Sequence, residues 1–156
     1  MGVFAGDSIY NNGGAGGGGT FDPEWTVVSN DCTLNTTDFD FSRFFALYSE
    51  KLGLLNLFAN GQFLTDVPVS TTVSKKLLDI PSYLNFQSYV FNTGIPYDNG
   101  NNINGGKLAI ANFQNPLKYS PTRFATTTEI YIGAYAWDND KIRYFTAAAL
   151  INVQKV

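Results

Sequence analysis

Two groups of residues in this chain carry side chains suited to holding a polar ligand. One lies in a polar stretch at 92–106, where Tyr97, Asp98, Asn99, Asn101 and Asn102 set an aromatic ring among amides and a carboxylate. The other lies near the C-terminus, where Tyr131, Tyr135 and Trp137 recur at even spacing and Asp138 follows. A sugar offers hydroxyls at its edge and C–H groups on its face. A ring stacked on the face, with Asn or Asp bonding the edge, is the chemistry that saccharide binding needs. Tyr and Trp suit it because each joins an apolar body to a polar handle. Each group also has a plainer reading. The first is a solvated loop, and the second is aromatic surface buried by other strands or by sister subunits.

Catalytic chemistry finds less support. The chain has no histidine, which removes Ser-His-Asp and Cys-His arrangements and the commonest zinc ligand. Cys32 therefore has no histidine to activate it, and it reads as a small buried apolar residue in a strand. The run GGAGGGG lacks the Lys-Ser/Thr of a phosphate-binding loop. Asp38-Phe39-Asp40 and Asp138-Asn139-Asp140 place acids two apart, a spacing that can present two oxygens to a divalent cation. The glycine and distal glutamate of an EF-hand are missing, and Asp and Asn in turns bond their own backbone. Thirteen acids leave open a glycosidase-type pair assembled across strands. The balance favours a non-enzymatic protein with no cofactor and no metal. Asn35-Thr36-Thr37 fits the N-glycosylation triplet, which carries weight only in a secreted chain.

Composition points to a folded domain with something to bind. Charged residues make up 15% of the chain, well under the usual quarter, and aromatics make up another 15%. That is enough apolar surface to fold, and more than a solitary monomer readily shows to water. The ten Lys and Arg are scattered, so there is no basic stripe for nucleic acid or for an anionic membrane. No apolar run approaches the ~18–20 residues of a membrane span, so membrane insertion is not expected. One cysteine allows no intrachain disulfide. Residues 1–10 lack the basic start and apolar stretch of a signal peptide, which suits synthesis in the cytoplasm followed by assembly. Residues 11–19 read NNGGAGGGG, a composition that resists ordering. The organisation expected is a flexible Gly-rich segment or linker at 1–20 and a single β domain at 21–156. Read as a linker, it implies a neighbour on its far side and a chain cut from a longer protein; the same composition also suits a non-native remnant added for expression.

The elements that must position these residues are strands. A β-prone run at 25–28 comes first. Residues 42–48 (SRFFALY) and 52–63 (LGLLNLFANGQF) form a hairpin about Ser49-Glu50-Lys51. Asn60-Gly61 supplies either a second turn or a bulge that lets the strand run on. Residues 67–73 (VPVSTTV) read as an edge strand because of Pro68. Residues 75–78 (KKLL) read as a brief helical turn stopped by Pro81. Strands follow at 86–91 (FQSYVF) and 107–113 (KLAIANF), and 117–123 is loop. Short strands at this spacing, joined by Gly, Pro and Asn turns, predict an all-β, antiparallel sandwich or barrel of jelly-roll type.

The strongest strand signal is a final hairpin at 126–153, turning at Asp138-Asn139-Asp140. Alternation puts Ile130, Ile132, Ala134 and Ala136 of its first arm on one face. Phe145, Ala147, Ala149, Ile151 and Val153 of the second arm join them as core. The opposite face carries Tyr131, Tyr135, Trp137 and Tyr144, together with Ile142. That is too much aromatic surface for a face left wet, so a partner is expected.

From residue 42 onward the order of elements is distinctive. A strand pair (SRFFALYSEKLGLLNLFANGQF) precedes a Leu-Asp-Ile-Pro segment, and a glycine-led strand (GGKLAIANF) precedes a Tyr-rich pair (TEIYIGAYAW and KIRYFTAAALINV). This layout resembles the C-terminal head domains of phage tail fibres and baseplate receptor-binding proteins. The resemblance implies a compact β-barrel or jelly-roll assembled as a homotrimer. It also implies a place in the virion tail or baseplate beside other tail proteins, and adhesion to host cell-surface saccharide. It transfers no binding residue by motif. Two rival functions are a capsid or baseplate β-domain acting only in assembly, and a carbohydrate-binding module of a larger enzyme.

Overall fold

The computed structural model describes residues 24–97, 106–118, 125–137 and 141–156. The Gly-rich segment at 1–20, and with it the expected start of the β domain, lies outside the described residues. Among the described residues eleven strands follow in chain order: β1 (Thr26–Val27), β2 (Thr33–Leu34), β3 (Phe39–Ser49), β4 (Leu54–Val67), β5 (Thr72–Asp79), β6 (Leu84–Phe86), β7 (Phe91–Thr93), β8 (Ile95–Tyr97), β9 (Gly106–Ala111), β10 (Glu129–Ala136) and β11 (Ile142–Lys155). A 3₁₀ turn, Ser29–Asp31, lies between β1 and β2. Among the described residues no helix is long and apolar enough to cross a membrane.

The strands form two antiparallel sheets facing each other as a β-sandwich. The first runs β1-β3-β4-β11-β6, with β8 also on the free edge of β11. The second runs β2-β5-β10-β9-β7. Strand alternation builds the core between them. β4 turns Leu55, Leu57, Ala59 and Phe63 inward, β11 turns Phe145, Ala147, Ala149, Ile151 and Val153 inward, and β10 answers with Ile130, Ile132, Ala134 and Ala136. Phe39, Phe63 and Phe145 meet in this core with ring centroids 5.2–5.6 Å apart. Each such ring gains about 1.5–3 kcal/mol from burial, and each tilted pair adds about 0.5–1.5 kcal/mol.

The hairpin about residues 49–51 forms as expected. β3 and β4 pair from Phe39↔Phe63 to Ser49↔Leu54, and the Gly53 amide donates to the Glu50 carbonyl at 3.2 Å to close the turn. Asn60-Gly61 does not turn the chain. β4 runs through it, and the irregularity sits opposite, where Ser42 is squeezed out between the Phe41↔Gly61 and Arg43↔Asn60 pairs. Gly61 is needed there, because a Cβ would strike the Asp40 carbonyl.

The final hairpin is a correction. β10 and β11 do not pair. β10 lies between β5 and β9 in the second sheet, and β11 lies beside β4 in the first, so the chain changes sheets between them. The two inward faces read from sequence are right, but they meet across the core instead of side by side. Each arm is an apolar-faced strand that a neighbour elsewhere in the chain can pair. Ile142 departs from the expected alternation. The ladder steps from Tyr144↔Gln62 to Ile142↔Val67, and this irregularity turns Ile142 into the core.

Four shorter segments also differ. Residues 67–73 are not one strand: β4 ends at Val67, and 68–71 carry the chain to β5 in the other sheet. Residues 75–78 are part of β5, not a helical turn. Leu77 is the extra residue between the Leu78↔Ile130 and Lys76↔Tyr131 pairs, which lets both adjacent leucines be buried. Residues 86–91 split between β6 and β7 in different sheets. The polar stretch 92–106 begins with two short strands, β7 and β8. Between β6 and β8 the edge of β11 is partly closed by other means. The Asn92 side-chain amide donates to the Ala148 carbonyl, and the Gln87 amide donates to Asn152 at 3.0 Å.

Candidate functional site

The residues picked from sequence fall on opposite sides of the sandwich. Tyr97 ends β8 on the outer face of the first sheet. Tyr131 and Tyr135 on β10, and Trp137 just beyond it, point outward from the second sheet. These two sets do not form one site. Asp98, Asn99, Asn101, Asn102 and Asp138 lie outside the described residues.

The middle of the outer face of the second sheet is covered by the chain itself, while Phe91 at its edge stays 52% exposed. Residues 112–118 fold back over it. Phe113 is buried there, stacked on Phe91 (6.4 Å, 4°) and edge-on to Tyr89. Pro116 is buried over Gly133, where a Cβ would come within 3.1 Å of the proline ring. The Asn115 amide donates to Ser74 Oγ at 3.0 Å, pinning the segment to β5. At its root, buried Asn112 accepts from the Val90 amide (2.8 Å) and donates to the Ser88 carbonyl (3.0 Å). Tyr131 donates to Glu129 Oε2 at 3.0 Å, and burial is the first cause raising its pKa. Tyr135 meets Trp137 edge-on at 5.8 Å, and Lys107 Nζ lies 5.5 Å from the Trp137 ring centroid. Much of the aromatic surface thus has an intramolecular partner, though Trp137 remains 41% exposed.

The outer face of the first sheet differs. Alternation along β4 turns Asn56, Phe58, Asn60 and Gln62 outward, and along β11 it turns Tyr144, Thr146, Ala148 and Leu150 outward. None of these is charged. Leu150 and Val27 are each 63% exposed. Phe45 stacks on Phe58 at 5.1 Å and 14°. Beside them Tyr97 stacks on Tyr144 at 5.6 Å and 16°. The Asn60 side-chain amide binds the group together, donating to Tyr97 Oη (2.9 Å) and Thr146 Oγ1 (2.7 Å), with the Phe145 carbonyl at 3.3 Å. Tyr97 Oη and Thr146 Oγ1 also lie 3.4 Å apart, so one hydroxyl can donate to the other while the second keeps its proton to donate outward. The result is a pair of parallel rings beside two hydroxyls, on outward rows of β4 and β11 that carry no charge.

Charges gather at the rim. Asp66 accepts from Arg143 at 2.9 and 3.0 Å and from Lys141 at 2.8 Å. Those hydrogen bonds, Arg143 first, hold its carboxyl down at about 2. The other sequence candidates have structural partners. Asn35 Oδ1 accepts from the Thr37 and Asp38 amides, while its nitrogen donates to Asp38 Oδ2 (2.9 Å) and the Lys76 carbonyl (2.7 Å). The nitrogen of the glycosylation triplet is therefore in use. Asp38 also pairs with Lys75 at 3.1 Å, and Asp40 accepts from Gln62 at 3.1 Å. Cys32 sits between the 3₁₀ turn and β2 rather than in a strand. It is half-buried against the core, and burial pushes its pKa up to about 12, so it stays a thiol.

Sequence reasoning missed Asn60, Tyr144 and Thr146 as a site. Alternation alone groups Tyr144 with Tyr131, Tyr135 and Trp137, but β10 and β11 lie in different sheets, so the four share no face. The usable signal was the alternation of uncharged polar and aromatic residues along both 54–63 and 142–153. No family model, no curated protein and no solved structure matches this chain.

Proposed function

We propose that this β-sandwich is a non-enzymatic adhesion domain that holds saccharide on the outer face of its first sheet. The observation carrying this reading is the stacked Tyr97–Tyr144 pair with Asn60 and Thr146 at its edge. Rings offer a surface for sugar C–H groups, and the hydroxyl pair offers a donor and lone pairs for sugar hydroxyls. The layout resemblance to phage tail-fibre and baseplate heads adds the setting: a jelly-roll-like head of a virion tail or baseplate, assembled as a homotrimer and directed at host cell-surface saccharide. The exposed apolar surface around Leu150 and Val27 is where a sister subunit would pack, beside the tyrosine pair rather than over it.

A glycan array probed with the full chain tests this reading. Binding to at least one saccharide class is expected, with Tyr97→Ala weakening it about tenfold, the effect of losing roughly 1.4 kcal/mol. A folded protein that binds no saccharide at millimolar concentration would favour the assembly-only alternative.

A further inference from the structure

We infer that the saccharide held on this face is anionic, its acidic group seated on Arg43. The inference rests on the saccharide reading above and adds the charge of the ligand. Among the described residues Arg43 alone of the basic side chains makes no ion pair, hydrogen bond or ring contact. It is exposed, and it stands on the open face: Arg43 is the cross-strand partner of Asn60, and Asn60 is the partner of Thr146. Strands in a sheet lie ~4.8 Å apart, so Arg43 and the Tyr144–Thr146 segment of β11 are about 10 Å apart across β4. That span suits a short oligosaccharide lying across the strands, one ring on the tyrosines and an acidic group at the guanidinium. The only acid on the neighbouring outward row is Asp40, which accepts from Gln62 and forms no ion pair with Arg43. A guanidinium matches a carboxylate or a phosphodiester as a two-pronged donor, and the facing outward rows of β4 and β11 bring no charge against it. At an exposed position such a contact governs selectivity more than total affinity.

The test titrates the full chain with three oligosaccharides of equal length: a neutral one, one bearing a uronate, and one bearing a phosphodiester. The parent is expected to prefer at least one anionic ligand about tenfold, with the preference shrinking as salt rises. Whichever anionic ligand is preferred names the source of the acidic group. Arg43→Gln should abolish the preference while leaving neutral binding unchanged, and Arg43→Lys should restore part of it. An unchanged preference in Arg43→Gln overturns the inference. So does a variant that changes only the solution mass, since Arg43 would then serve a second copy of the chain. Equal binding of neutral and anionic ligands by the parent removes the Arg43 inference but spares the saccharide reading. No binding of any of the three removes both.

Discussion

The two outer faces of this sandwich arise from the same strand alternation and reach different ends. The second sheet turns out Tyr131, Gly133 and Tyr135, and the chain then lays 112–118 across the middle of that face, with Phe113 and Pro116 buried against it. The first sheet turns out Phe58, Asn60, Tyr144, Thr146 and Leu150, and no described segment is seen packed over them. Glycine makes the difference possible. At Gly133 the sheet surface is low enough for a proline to settle on it, whereas the matching rows of the first sheet carry full side chains. An aromatic sheet face is therefore not by itself a sign of a partner. What singles out the first face is a stacked tyrosine pair beside ordered hydroxyls, on β4 and β11 rows that carry no charge.

The largest effect should come from the covered face. Phe113→Ala removes a buried ring and is expected to cost about 3–5 kcal/mol in urea unfolding. Leu150→Ser on the open face should stay within about 0.5 kcal/mol. Similar losses at the two positions would erase the contrast between the faces. Gly133→Val comes next. Its side chain meets Pro116, so a cost of about 1–3 kcal/mol is expected. Faster amide exchange at Lys118, whose amide donates to the Asn115 carbonyl at 3.0 Å, should accompany it. Unchanged exchange there would mean the covering segment is held independently of Gly133.

The smallest effect concerns acid. Asp66 has a folded-state pKa of about 2, below the ordinary value of 3.8. Its contribution is fully present above the ordinary value and is lost as pH falls from about 4 through about 2. Asp66→Asn should therefore flatten acid-induced destabilisation in that window and leave the slope near neutrality alone. A parallel pair of pH–stability curves down to pH 2 would show that the Arg143–Asp66–Lys141 cluster does not tie β4 to β11.

Much of the fold was legible because alternation is a local signal. The inward sets Ile130 to Ala136 and Phe145 to Val153, and the 39–67 strand pair, follow from side-chain period alone. Sheet membership is not local. Two adjacent apolar-faced strands can pair as a hairpin or face each other across a core, and residues 126–153 contain nothing that chooses between them. Bulges hid a second class of feature. Adjacent Leu77 and Leu78 imitate a helical turn because one extra residue in β5 breaks the period. The site was half legible: Tyr97 was found from composition, but Asn60 reaches it from 37 residues away, and only the β4–β11–β8 register brings them together.

We propose recognition on the open first sheet and not on the aromatic second one. Saccharide binding by Tyr144→Ala and Trp137→Ala, measured side by side on folded protein of unchanged solution mass, tests it directly. The account predicts about a tenfold loss for Tyr144→Ala and parental binding for Trp137→Ala. Retained binding in Tyr144→Ala with loss in Trp137→Ala would contradict it.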